Sequence, residues 1–317
     1  MPLPLVVLGD FAWDVMIRTN TNLLTGGDTY GEVMLTPGGS GANVAVWAQR
    51  CGLPTGFIGK IGRDRMGELA EEDLASEGLR SWLVHSEQQL TSSVAVFVDD
   101  TGERSMVSGQ GADHFLLPSE LPRDVIEKAG HLHLTAWSFF TDPPRGAARE
   151  AARIAREAGV PVSLDPGSFQ LIQEVGVEKF LGFTTDLEVA VLMPNYEEGN
   201  VLSGETEPES IAARLAELYP TAIIMLKLDA HGALVHQDGV SQRVPPSPGR
   251  LLDATGAGDA FAGAFLSRFL RGHDAVESAA FATEVSAWVI ERLGARPKLD
   301  GYQPAAEPSP RGSAPPS

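Results

Sequence analysis

Apolar residues in this chain fall into two patterns: short continuous or alternating runs, and longer stretches whose apolar positions recur three and four residues apart. Leu5–Leu8 is a continuous apolar run and reads as a buried strand. Gly41–Arg50 opens just past a glycine turn and reads as a helix, and Thr55–Gly59 reads as the next strand. Asp64–Glu77 reads as a helix with Met66, Leu69, Ala70 and Leu74 on one face. His131–Thr135, Val160–Leu164, Val189–Met193 and Ala222–Leu226 read as core strands, with Arg145–Ala158 and Ile211–Leu218 helical between them. Strands alternating with helices predict an α/β fold around a mostly parallel sheet covered on both faces.

Two segments break that rhythm. Residues 15–37 and 91–108 are β-prone and rich in turn residues, with Gly26-Gly27-Asp28 and Asp99-Asp100-Thr101-Gly102 as predicted hairpin turns. Val94, Val96 and Val98 alternate as in a strand with one apolar face. Past Gly301 the chain is rich in Pro, Ser and Ala, which predicts a disordered tail over 302–317 and a single folded unit over 1–301.

Charge narrows the partners. The 317 residues include 42 Asp and Glu against 24 Lys and Arg, a formal net charge of −18, and so acidic a surface has no field for a nucleic-acid backbone. A single cysteine, Cys51, excludes an internal disulfide and suits a reducing compartment. The apolar run at the N-terminus stops at Gly9-Asp10, too short for a secretory signal, and no uncharged run is long enough for a membrane span. The expectation is a cytoplasmic enzyme without a membrane partner.

The densest chemistry lies in Asp253-Ala254-Thr255-Gly256-Ala257-Gly258-Asp259. Gly256 and Gly258 let backbone N–H groups face a closely approaching anion. Residues 260–270 follow with helical spacing, so Asp259 stands at a helix N-terminus, where amides and dipole favour negative charge. Taken alone, an Asp there could simply cap the helix.

With this stretch the chain resembles the ribokinase-like, or PfkB-type, carbohydrate kinases, whose C-terminal signature reads Asp-Thr-Thr-Gly-Ala-Gly-Asp or a close variant; only Ala254 departs. Gly38-Gly39-Ser40-Gly41-Ala42-Asn43-Val44-Ala45, with Gly52 and Gly62, fits the N-terminal signature of the same family. The resemblance covers roughly residues 3 to 300. It implies a ribokinase-like three-layer α/β sandwich, with segments 15–37 and 91–108 paired into a small β-sheet lid through which two copies could dimerise.

By the same resemblance, the activity is transfer of the γ-phosphate of ATP to a hydroxyl of a sugar or sugar derivative. Asp259 is then the catalytic base, and the amides of Gly256, Ala257 and Gly258 form an anion hole. Asp14, Gly38, Gly39 and Asn43 would contact the substrate, with Trp13 either shielding the sugar or buried. Lys227, Gly232 and Thr255 would meet the nucleotide. Asn195 and Glu198 fit the family's Asn-x-x-Glu element, associated with Mg2+ and phosphate, although such a pair after a strand also starts helices. Residues 292–294 fall where relatives bind a monovalent cation such as K+.

Three departures blur the substrate and nucleotide. Asp229 replaces a usual glycine in a nucleotide-contacting turn, Ser40 stands where ribokinases often have Lys, and Asp165-Pro166-Gly167 lacks the Asn and Arg of the comparable fructokinase stretch. A nucleoside kinase and a non-catalytic sugar sensor on the same scaffold are the alternatives. A dinucleotide-binding reading of Gly39-Ser40-Gly41 fails for want of the third glycine, since Val44 stands in its place.

Overall fold

The computed structural model of the chain describes residues 3–98 and 104–302. The hairpin turn expected at 99–102 and the tail from 303 lie outside the described residues. In chain order the strands are β1 (Leu5–Leu8), β2 (Ala12–Thr19), β3 (Gly31–Gly38), β4 (Thr55–Gly62), β5 (Arg80–Ser86), β6 (Ser92–Val98), β7 (Arg104–Ser108), β8 (Leu132–Thr135), β9 (Val162–Asp165), β10 (Val191–Leu192), β11 (Ile223–Lys227), β12 (Ala233–Gln237) and β13 (Val240–Val244). The helices are α1 (Ser40–Arg50), α2 (Arg65–Ser76), α3 (Arg123–Glu127), α4 (Pro144–Glu157), α5 (Phe169–Val175), α6 (Val177–Thr184), α7 (Tyr196–Ser203), α8 (Pro208–Leu218), α9 (Ala257–Phe269) and α10 (Ala275–Val289).

Nine strands form one sheet in the order β13-β12-β11-β10-β9-β8-β1-β4-β5. Every pairing is parallel except β11–β12 and β12–β13. Successive side chains point to opposite faces and build two cores. Leu5, Val7, Phe57, Val191 and Met225 pack with α1, α9 and α10. Val6, Leu8, Ile58, Leu192 and Ile224 pack with α4 and α8 on the other face. A sheet buried on both faces explains the continuous apolar runs of β1 and β10. The ribokinase-like three-layer sandwich is thus present. Among the described residues, no helix is long and apolar enough to cross a membrane.

A second, four-stranded sheet, in the order β3-β2-β6-β7, stands apart as the lid. It starts at Ala12, earlier than the sequence pattern indicates, because β2 runs back to the end of β1. Trp13 anchors this root: it is buried, donates from Nε1 to Met66 O at 2.9 Å, and sits edge-on to Phe11. It belongs to the core rather than to a sugar platform. The β2–β3 connection is a loop over residues 20–30, with a turn closed by Gly27 N to Leu24 O in place of a tight hairpin at 26–28.

One contact positions the two signature helices. α9 crosses α1 at Gly263, where a Cβ would lie 2.6 Å from Val44 O and 2.8 Å from Ala48 N. Only glycine allows this approach without moving backbone. Gly263→Ala is therefore expected to lower the unfolding free energy by about 2 kcal/mol, measured by chemical denaturation, and to cut activity further by displacing α1 from α9.

Candidate active site

Gly256 caps α9 in the left-handed conformation, with φ of 71°. A side chain there would also collide with Ala295, whose Cβ is 2.4 Å from the position of a Cβ on Gly256. Asp253 holds the loop: Oδ1 accepts from Thr255 N at 2.9 Å and Thr255 Oγ1 at 2.6 Å, while Oδ2 accepts from Gly294 N at 2.8 Å. The Thr255 hydroxyl, expected at the nucleotide, is spent on this clamp. Of the three amides expected to form the anion hole, that of Ala257 makes a long turn bond to Ala254 O at 3.3 Å. Those of Gly256 and Gly258 meet no acceptor among the described residues. No side chain caps the helix, so its N-terminus is open to a ligand.

The other glycine-rich helix start is closed. Asp10 accepts from Ser40 N at 3.1 Å and Gly41 N at 3.0 Å, occupying the N-terminus of α1 with the protein's own carboxylate. Burial raises the Asp10 pKa in spite of these amides. The Gly39-Ser40-Gly41 turn therefore offers no phosphate cradle of the dinucleotide kind.

Asp259 lies in the first turn of α9, half-buried, and does not cap it. Its Oδ2 accepts from Asn43 Nδ2 at 2.8 Å. Desolvation inside the cleft pushes its pKa up to about 7; the Asn43 hydrogen bond and Lys227 oppose the rise, and Asp165 and Asp10 add to it. Lys227 is mostly covered rather than exposed at its strand end, with its side chain 11% exposed. Its Nζ is 2.6 Å from Asp165 Oδ2 and 3.6 Å from where a Cβ on Gly258 would lie, immediately behind the open amides. Asp165, at the end of β9, heads the Asp-Pro-Gly stretch compared above with a fructokinase element, and the sequence by itself assigns it no role.

Asn195 and Glu198 form a reciprocal capping box at the start of α7. Asn195 Oδ1 accepts from Glu198 N at 2.8 Å, and the Glu198 oxygens accept from Asn195 N at 2.9 Å and Asn195 Nδ2 at 3.1 Å. Burial, and then Asp165, drive the Glu198 pKa up to about 8. Among the described residues, no group of three or more His, Cys, Asp or Glu side chains is arranged to hold a metal ion directly. Yet Asp165, Glu198 and Asp259 all interact with the one ammonium of Lys227. That excess of carboxylate fits a divalent cation reached through its own water shell.

At the substrate end, Gly38 lacks the Cβ that would lie 2.4 Å from Asp14 Oδ2, so the buried Asp14 carboxylate sits directly over it. Gly39 has φ of 86° and brings its backbone against Asp10 and Phe11. Gly232 is a turn residue between β11 and β12, beside the Lys227–Ala233 pair: its φ is 84°, and a Cβ would strike Val244 O. Asp229, three residues earlier, takes the glycine-like φ of 49°. His131 and His133 are buried and share Ser163 Oγ, and burial drives both pKa values down to about 3, which makes them neutral core residues.

Residues 5–300 match the family described as pfkB family carbohydrate kinase. The chain belongs to that family. It is 32% identical to a fructokinase of Escherichia coli over 82% of each chain. It is 31% identical to an ATP-dependent ribose-1-phosphate kinase of Halopiger xanaduensis over 91% of this chain and 92% of that one. A solved structure of a putative ribokinase II from E. coli in complex with ATP and Mg2+ superposes with a TM-score of 0.81 at 23% identity, covering 92% of this chain and 94% of that one. This pfkB-family carbohydrate kinase is a phosphotransferase, and its two signatures meet in space through the Asn43–Asp259 hydrogen bond.

The folded pKa of Asp259 lies above the ordinary 3.8, so the native state keeps a proton that the unfolded chain has released. The associated stability is present below about 4 and lost as pH rises through about 7. Asp259→Asn should therefore raise the melting temperature at pH 8, by on the order of 2 kcal/mol in stability. In a thermal scan series the gain should vanish toward pH 4.

Proposed function

We propose that this kinase transfers the γ-phosphate of ATP to a hydroxyl of a neutral sugar or sugar derivative, with Asp259 as the base. The observation that carries this reading is the pairing of an Asn-held Asp259 carboxylate with the unclaimed amides of Gly256 and Gly258 on the same helix turn. The acceptor hydroxyl, held near Asp14 and the Gly38–Gly39 turn, loses its proton to Asp259 as the new P–O bond forms. The Gly256–Gly258 amides and the Lys227 ammonium meet the charge that develops on the transferring group. Magnesium, when bound with the nucleotide, supplies further neutralising charge; Glu198, with Asn195 and Asp165, would hold its water shell. A monovalent cation such as K+ beside the Asp253–Gly294 clamp belongs to the same proposal.

Charge favours a neutral acceptor. Asp10, Asp14 and Asp113 bring three acidic side chains to the substrate end, Asp14 buried and the other two half-buried. The cations there are already matched: Lys60 lies 2.7 Å from Glu120, and Arg296 lies 2.6 Å from Asp73. A sugar phosphate or sugar acid would meet no unmatched lysine or arginine at these positions.

The test is ADP release from Mg-ATP across pentoses, hexoses, sugar acids, sugar phosphates and nucleosides, with K+ and Na+ compared. Turnover with a neutral sugar is expected, and kcat/KM should fall as pH drops through about 7, where Asp259 takes up its proton. Asp259→Asn should lose about 10²–10⁴-fold in rate. Turnover confined to nucleosides would support the nucleoside kinase instead. Ligand-induced stabilisation without turnover would support a sensor.

The lid carries the partner expectation. Cross-strand register puts Val15, Ile17, Val33, Leu35, Phe97 and Val107 on the face opposite Asp14, and Val33 and Val107 are 67% and 66% exposed. An apolar face of this kind on a projecting sheet fits a second copy of the chain. Sedimentation should show a dimer, and Leu35→Asp should convert it to a monomer.

A further inference from the structure

We propose that Arg296 is a positioning residue, which locks the side-chain amide of Asn43 so that its N–H group, and not its oxygen, faces Asp259. The inference rests on Asp259 serving as the base.

Arg296 follows α10 in a segment stitched to α1: Trp47 Nε1 donates to Ala295 O at 2.9 Å, and Arg50 Nη1 donates to Pro297 O at 2.9 Å. Its guanidinium is 1% exposed and makes three directed bonds, from Nε to Asn43 Oδ1 at 2.7 Å, from Nη1 to Asp73 Oδ2 at 2.6 Å and from Nη2 to Gly38 O at 2.8 Å. The Phe11 ring lies beneath it. One side chain thus ties α2, the substrate glycine turn and Asn43 together.

The chemistry of the donors fixes the rest. A guanidinium can only donate, whereas an Asn amide carries a donor at one end and an acceptor at the other. With Nε against Asn43, the oxygen must face Arg296 and Nδ2 must face Asp259. Without that constraint the amide can turn over and present Oδ1 to the carboxyl. A carboxylate prefers the donor, and a protonated acid can use the acceptor, so the flipped amide favours the proton-bound form that cannot act as a base. The other groups facing Asp259 are Asp165 from β9, Lys227 from β11 and Asp10 past β1. Those facing Arg296 are Asp73 from α2, Glu77 just past it, Arg50 from α1 and Asp14 from β2. None of these touches both ends of the Asn43 amide.

The experiment is the pH profile of kcat/KM for Arg296→Met, which has no donor, and Arg296→Gln, whose amide can still donate to Asn43, beside wild type and Asp259→Asn. Arg296→Met is expected to move the acid limb up by about one pH unit, a loss of about tenfold near neutrality that recovers in alkali, with the KM for ATP little changed. Arg296→Gln should restore the limb in part. A loss in Arg296→Met that is uniform across pH, or an unmoved limb, overturns the inference while leaving the base assignment intact if Asp259→Asn is inactive. An active Asp259→Asn overturns both. Should Arg296→Met not fold, the wild-type Asn43 side-chain amide decides by NMR. It should titrate with the midpoint of the acid limb, and insensitivity to pH across that range overturns the inference.

Discussion

The site depends on the close crossing of α1 and α9 at Gly263. Asn43 and Asp259 lie 216 residues apart in sequence, and 2.8 Å separates their polar atoms because two helices approach to backbone contact a turn further along. Neither helix reaches the other through long side chains. A distance set by packed backbone is stiff, and stiffness is what a base needs to hold an acceptor hydroxyl in line with a phosphoryl group. The Arg296 segment adds a second constraint on α1 through Asn43, Trp47 and Arg50, so this helix is held by two parts of the C-terminal region.

Holding a nucleotide on a chain of net charge −18 is a local problem with a local solution. The acidic surface gives no general attraction, so on the proposed reading binding would rely on open amides, a helix dipole and the Lys227 ammonium. Lys227 is already shared among Asp165, Glu198 and Asp259, and the pKa values of the last two, about 8 and about 7, record how incompletely one charge compensates three. Such a cluster is unfavourable in isolation. It becomes favourable in company with a metal-bound polyphosphate, whose cation offsets the carboxylates and whose anion occupies the amides.

Much of the fold was legible because sheet burial on both faces imposes continuous apolar runs, and β1, β10 and β11 carry them. β12 and β13 were passed over, although Asp238-Gly239 is a two-residue hairpin signal, with φ of 52° and 75° in the folded chain. Their strands are short and half-polar, so periodicity alone does not reveal them. In the site, glycine spacing pointed to the loop at 256–258 and to Asn43, because backbone geometry demands particular residues at particular positions. Arg296 and Asp165 were not found that way. An arginine or aspartate is compatible with almost any loop, and what defines these two is the partner each meets across the molecule. Asn195 and Glu198 show the converse: their spacing serves a capping box and a metal-associated element equally, and the capping box accounts for the contacts their oxygens make.

The arrangement also bears on whether this scaffold senses sugars or transforms them. A binding protein gains nothing from a carboxylate kept in a desolvated cleft beside two others, since the same pocket with an amide would be more stable at neutral pH. Nor does it gain from leaving the N-terminus of α9 uncapped when the N-terminus of α1, built from a similar glycine turn, is closed by Asp10. Two departures from the most stable sequence, at adjacent positions of one helix turn, have a common explanation if charge develops there transiently. On the proposed reading, Asp259 would take a proton and the amides beside it would receive the phosphoryl oxygens, so that stability is given up at the turn of the helix where phosphoryl transfer would need it.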